Sequence, residues 1–124
     1  MTTNYFSHDE LSCPCCGVNG FKPDTQSKLN ALREFLGFPL PINSAYRCPA
    51  YNTLKGFTQT HATGQAVDAR VSHKQAVLVL DAARSFGFTG IGIKQKGGVS
   101  GRFIHLDDLT EELPKQPRPH VWSY

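Results

Sequence analysis

The sequence contains no long apolar run. No stretch approaches the ~20 apolar residues that a helix needs to cross a bilayer, so we expect no membrane insertion. The N-terminal segment holds neither the basic region nor the apolar core of a secretory signal. We therefore expect synthesis in the cytoplasm without a signal peptide, and delivery by another component if the substrate lies outside the cell.

A large excess of positive or negative charge is also absent from the sequence. The formal net charge is only +3, and the basic residues are scattered along the chain. This balance argues against a nucleic-acid partner and mildly favours an anionic one, such as cell-wall polymer. Hydrophobic residues make up 40% and charged residues 19% of the chain, a globular composition that argues against disorder.

Internal repeats, low-complexity tracts and long linkers are absent from the 124 residues, so we predict one monomeric domain over 1–124. Apolar periodicity and turn residues divide it into short elements. The predicted helices cover 24–36, 49–55 and 73–86, and the predicted strands cover 41–47, 66–71, 89–94 and 102–106. Gly97 and Gly98 predict a hairpin between the last two strands, and the proline-rich tail 113–124 predicts an extended strap. The pattern indicates an α+β fold, with a mostly antiparallel sheet and a few helices packed to one side.

The four cysteines have an unusual arrangement. Three of them crowd into Cys13-Pro14-Cys15-Cys16, and the fourth is Cys48. Reduced thiols are the first expectation for a chain without an export signal. A disulfide and a second metal site are the alternatives, although the run lacks the paired C-x2-C spacing of most zinc sites. The sequence leaves all three open.

Two histidines and one aspartate carry candidate metal chemistry. His61 and Asp68 bracket a segment that turns at Gly64 and enters a predicted strand, and His105 lies in a later strand. Catalytic zinc takes three such ligands and keeps a fourth position open. Spacing alone favours a hydrogen-bonded structural histidine, with Asp68 paired to Arg70 or Arg47.

Four blocks of the chain resemble one family. They are Phe6-Ser7 with Glu10-Leu11 and the run Cys13 to Gly17; Ser44-Ala-Tyr-Arg47 within Ile42 to Asn52; His61-x-x-Gly64-x-Ala66-x-Asp68; and Phe103-Ile-His105-Leu-Asp107 with Arg118-Pro119 and Trp122. This pattern is similar to the M15 family of zinc D-Ala-D-Ala carboxypeptidases and murein peptidases, in particular to its short, single-domain, phage endolysin-like branch.

The resemblance implies a function and a ligand set. It implies the M15/Hedgehog-like fold, one catalytic zinc ion held by His61, Asp68 and His105, and the peptide stem of peptidoglycan as substrate. The activity would be that of a carboxypeptidase or an endopeptidase. Cell-wall cleavage would follow release from the cytoplasm or delivery in a virion.

The resemblance also implies roles around the metal. Arg47 would bind a substrate carboxylate or the oxyanion of the tetrahedral intermediate, for which a guanidinium is suited; a structural ion pair is its alternative role. Tyr46 and Trp122 would line the substrate groove, with a place in the hydrophobic core as their alternative role. Ser44 would support the site.

One departure from the family affects catalysis. Several members place an acidic residue three positions before the second histidine, where this chain has Arg102. Asp107, which shares a strand face with His105, is the candidate replacement for the general base. Its alternative role is to hydrogen-bond a zinc-ligating histidine. If the base is lost, the alternative function is a catalytically inactive, zinc-containing module that binds cell wall or serves a structural role.

Overall fold

A five-stranded sheet organises the protein, whose computed structural model describes residues 3–56, 60–110 and 117–124. The strands are β1 (Ile42–Ser44), β2 (Ala66–Ala69), β3 (Gly90–Lys94), β4 (Phe103–Asp107) and β5 (His120–Ser123). Their spatial order is β1-β2-β4-β3-β5, and every neighbouring pair is antiparallel except β3 and β5. The predicted α+β class and the predicted pairing of β3 with β4 are confirmed.

Three α-helices accompany the sheet in the described residues. They are α1 (Pro23–Leu36), α2 (Pro49–Lys55) and α3 (His73–Ala83). Gly37 and Gly56 end α1 and α2 in the left-handed conformation, which costs a residue without a Cβ little. None of these helices is long and apolar enough to span a bilayer.

The sheet has one apolar face, and the main helices cover it. Strand residues on this face form a continuous core with buried residues of α1 and α3. The principal members are Leu29, Leu32, Val67, Ala76, Val79, Ile91, Ile104 and Leu106. Full burial of each large aliphatic side chain contributes about 1.5–3 kcal/mol. Because strand side chains alternate, the polar residues of β2 and β4 point to the opposite face.

Several element boundaries differ from prediction. The first strand ends at Ser44 rather than near Arg47, because the backbone beyond it turns to contact His61: the Arg47 N–H donates to the His61 carbonyl at 3.3 Å. Helical spacing predicts Phe35 on the same apolar face as Leu29 and Leu32, but it is 68% exposed at the end of α1. It packs on Phe86 instead, with ring centroids 5.3 Å apart.

The tail is described only in part. Residues 113–116 of the predicted strap lie outside the described residues. Residues His120–Ser123 form β5, which adds to the sheet beside β3. The tail thereby carries Arg118 and Trp122 to the polar face.

Candidate metal centre

One row of residues crosses all five strands on the polar face. The backbone register runs Ser44–Asp68–His105–Gly92–Trp122, each residue opposite the next. Members of such a row point to the same side of a sheet. The row therefore brings together residues from three of the four blocks singled out in the sequence.

His61, Asp68 and His105 converge on this face. Asp68 Oδ1 lies 3.4 Å from His61 Nε2 and 3.1 Å from His105 Nδ1. One ligand atom from each residue lies within 4.8 Å of the other two. Both imidazoles are only 2% exposed. His61 comes from a 3-10 turn, Thr60–Thr63, that precedes β2, so this residue reaches the row from outside the sheet.

Gly64 holds the turn that presents His61. Its φ of +75° lies in the left-handed region, and a Cβ there would collide with the carbonyl of Gly20. The Lys22 N–H donates to the Gly64 carbonyl at 2.8 Å. A glycine three residues after His61 is therefore required by both backbone conformation and space.

Hydrogen bonds fix which nitrogen of each histidine is free to bind a cation. His61 Nδ1 lies 2.8 Å from the carbonyl oxygen of Ala45, and His105 Nε2 lies 2.7 Å from Asp107 Oδ2. Since both oxygens accept, these nitrogens carry the protons. The lone pairs of His61 Nε2 and His105 Nδ1 are then available beside Asp68.

The donor set fits a zinc ion. Two neutral imidazole nitrogens and one carboxylate oxygen are ligand types found in catalytic zinc sites, which leave a fourth position open. Burial raises the pKa of Asp68, but the hydrogen bonds that His105 and His61 donate when they are protonated outweigh it and hold this pKa well below its ordinary value. Burial likewise lowers the pKa of His105, while hydrogen bonds to Asp107 and Asp68 raise it above its usual range. An anion flanked by two imidazoles is an arrangement that a divalent cation neutralises.

Asp107 is fully engaged by partners in the interior. It is 0% exposed, and Arg118 donates to its two oxygens from Nε and Nη2, each at 2.8 Å. Burial raises the pKa of Asp107, but the bonds from His105 and Arg118 bring it down to about 2. A carboxylate that already accepts at both oxygens is placed to orient His105. Of the two roles that the sequence leaves open for Asp107, these contacts favour orientation.

Two glycines of β3 make room for this arrangement. A Cβ on Gly90 would collide with the carboxylate of Asp107, and a Cβ on Gly92 would lie 2.7 Å from the indole of Trp122. The indole can therefore cross over β3 and reach His105, with ring centroids 5.0 Å apart. The guanidinium carbon of Arg118 lies 5.2 Å from the Trp122 ring centroid.

Arg47 lies close enough to Asp68, one of the candidate metal ligands, to interact with its charge. Burial lowers the pKa of the Arg47 guanidinium, and the negative charge of Asp68 opposes this shift. Its half-buried side chain thus adds positive charge beside the carboxylate. Ser44, the register partner of Asp68, completes the β1 end of the row.

Tyr46 lies elsewhere. Its ring packs against Gly20, and a Cβ added at position 20 would lie 2.6 Å from the ring. Burial raises the pKa of Tyr46, and the charges of Cys48 and Cys13 raise it further. These contacts place Tyr46 on the cysteine side of the segment, so its role in substrate binding stays a prediction.

Sequence reasoning gives no role to three groups at the site. They are the Ala45 carbonyl, the Arg118 side chain and Tyr124. Burial raises the pKa of Tyr124, and the charge of Asp68 adds to that effect, so its phenol lies within range of the site. The alternating glycines of β3 are a signal that could have indicated bulky side chains crossing that strand.

Comparison with known proteins identifies the family. The family model described as Peptidase M15 matches residues 4–107. The matched segment contains the three candidate ligands and Asp107, and it ends before Arg118 and Trp122. No curated protein matches the chain. Since the match covers most of the chain, this protein belongs to the M15 peptidase family.

Proposed function

We propose that this protein is a zinc-dependent peptidase that hydrolyses peptide bonds of bacterial peptidoglycan. One observation carries the proposal: His61 Nε2, Asp68 Oδ1 and His105 Nδ1 meet within 4.8 Å on the polar face, in a peptidase family. A zinc ion held by these residues would supply a water acidic enough to attack at neutral pH and would polarise the scissile carbonyl.

The surrounding residues then have separate tasks. Asp107 and Arg118 fix the orientation of His105 through bonds of 2.7–2.8 Å. Arg47 provides a guanidinium for a substrate carboxylate or for the developing oxyanion. Trp122 and Ser44 mark opposite ends of the row, so an extended peptide stem would lie across the sheet between them.

The positive charge of Arg47 favours a substrate with a free carboxylate close to the cleaved bond. A D-Ala-D-Ala stem offers such a group, whereas an internal or cross-link bond offers it only after trimming. In a lytic role, the protein would reach the wall after release from the cytoplasm or as part of a virion.

A digest of purified peptidoglycan tests the proposal. We expect zinc-loaded protein to release either D-Ala or one defined set of muropeptides, as read by mass spectrometry. Addition of a chelator should stop product formation, and zinc should restore it, because the metal is required for attack. No product from zinc-loaded protein on walls of several cross-link types would refute the proposed substrate.

Asp107→Asn separates orientation from proton transfer. If Asp107 orients His105, the substitution should weaken zinc binding by about 10–100-fold, and saturating zinc should recover most of kcat. If Asp107 is the general base, kcat should stay at background even with zinc bound, as measured by turnover at increasing zinc. Asp81→Asn, at an exposed position of α3, is the matched control and should change neither quantity.

One observation favours the alternative function, an inactive zinc-containing module. Arg102 occupies the position where several family members carry an acid, and its Nε donates to the Gly97 carbonyl at 3.1 Å. With Asp107 bound to Arg118, neither residue is a ready base. This alternative predicts stoichiometric zinc and wall binding in a pull-down assay, with no hydrolysis of any wall type.

A further inference from the structure

The four cysteines gather at one corner, apart from the His61 site. The ligand sulfurs of Cys13, Cys15, Cys16 and Cys48 all lie within 4.8 Å of one another. Cys15 Sγ is 3.5 Å from Cys13 Sγ and 3.4 Å from Cys48 Sγ. All four thiols are free.

These separations match a shared ion better than a covalent bond. A disulfide joins two sulfurs at about 2.05 Å, well below the 3.4–3.5 Å between the sulfurs here. Four thiolates around zinc, each at about 2.3 Å, lie roughly 3.8 Å from one another. The observed spacing therefore requires only small adjustments to enclose an ion.

Backbone amides already support the sulfurs. The Cys48 N–H donates to Cys13 Sγ at 3.3 Å, and the Tyr51 N–H donates to Cys48 Sγ at 3.4 Å. Such bonds stabilise negative charge on sulfur, as a metal-binding thiolate requires. The Cys13 carbonyl accepts from the Gly17 N–H at 2.9 Å, and the left-handed φ of +72° at Gly17 lets the chain turn back at that point.

We propose that Cys13, Cys15, Cys16 and Cys48 bind a structural zinc ion, in a second metal site separate from the candidate catalytic centre. Zinc binding would displace the thiol protons. It would also join the loop before α1 to Cys48, the N-cap residue of α2. Cys48 directly follows Arg47, and the same segment supplies the Ala45 carbonyl that holds His61. The ion would thus fix the segment that borders the active site without contacting substrate.

Cobalt substitution tests this site by its spectrum. The reduced full-length protein is stripped of metal and titrated anaerobically with Co²⁺. We expect intense sulfur-to-cobalt charge-transfer absorption in the near ultraviolet, and about two metal equivalents per chain at saturation. A His/Asp site contributes no such band, so the signal belongs to the cysteines.

Two variants assign the equivalents. Cys15→Ser/Cys16→Ser should lose the charge-transfer band and one equivalent while retaining the other. His61→Ala, the matched control at the other site, should keep the band and lose the second equivalent. If the serine variant fails to fold, the wild-type spectrum and stoichiometry still decide the question.

A wild-type titration without the charge-transfer band, with four thiols accessible to a thiol reagent, would overturn the proposal. So would mass-spectrometric detection of a Cys15–Cys48 disulfide in freshly isolated protein. Either result leaves the His61 site and the peptidoglycan digest unaffected, so failure here is distinct from failure of the proposed function.

Discussion

Asp68→Asn is expected to remove zinc from the candidate catalytic site and to reduce kcat/KM at least about a thousandfold. The amide is nearly isosteric but neutral, so the substitution removes the only anionic ligand of the triad. Metal catalysis supplies several kcal/mol of barrier reduction, and each 1.4 kcal/mol corresponds to a factor of ten. Metal analysis after dialysis and turnover of a muropeptide substrate measure the two effects.

The control for this variant is Asp81→Asn, which makes the same chemical change at an exposed position of α3. It should retain wild-type metal content and turnover. Circular dichroism should show that both variants are folded. If Asp68→Asn binds zinc as tightly as the wild type, the third ligand is a different residue and the ligand set proposed here is wrong.

Arg118→Met is expected to cost about 3–5 kcal/mol of unfolding free energy. The substitution leaves Asp107 as a buried anion without its cationic partner, and removing one member of a buried ion pair has a cost of this size. Urea unfolding followed by circular dichroism measures the change. Arg84→Met, at an exposed position after α3, should alter stability by less than about 0.5 kcal/mol.

A double variant identifies the cause of the loss. Asp107→Asn/Arg118→Met removes the uncompensated charge, so its stability should exceed that of Arg118→Met alone.

The charge on Asp107 also makes the stability difference depend on pH. The pKa of Asp107 is lowered from 3.8 to about 2 in the folded protein, so the pair stabilises fully above the unfolded value. The difference between wild type and Arg118→Met should shrink as the pH falls from about 4 toward 2. A constant difference across this range would mean that lost packing, and not lost charge, destabilises the variant.

The fold class follows from the sequence because local signals agree with the tertiary arrangement. Gly56 ends α2 where predicted, and Gly97 and Gly98 lie between the two paired strands. Phe35 is the exception: its spacing places it on the apolar side of α1, but its side chain is largely exposed and packs on Phe86. Helical periodicity predicts which way a side chain faces, but not whether another part of the protein covers it.

The candidate ligands could be predicted from the sequence, whereas most of the groups that orient them could not. His61, Asp68 and His105 are singled out by motif and chemistry, and the register of β2 with β4 places two of them opposite each other. The role of the Ala45 carbonyl could not be predicted from the sequence, because every residue has a backbone carbonyl. Arg118 pairs with Asp107 only because β5 adds parallel to β3, and no local pattern predicts that pairing.

Tyr46 illustrates a different limit. It adjoins Arg47 in the sequence, and adjacency in a motif favours a shared role. Along an extended segment, however, neighbouring side chains point in opposite directions. Arg47 interacts with the charge of Asp68, while Tyr46 packs on Gly20 beside the cysteines.

The glycine pair of β3 makes the metal centre separately adjustable in two respects. A Cβ at Gly90 would first meet the carboxylate that orients His105, whereas a Cβ at Gly92 would first meet the indole that packs on the same imidazole. A larger residue at position 90 would change the affinity for the metal ion. A larger residue at position 92 would change which ligands can reach the ion. Divergence within such a scaffold can therefore retune metal retention and ligand preference independently, through the smallest change that a strand permits.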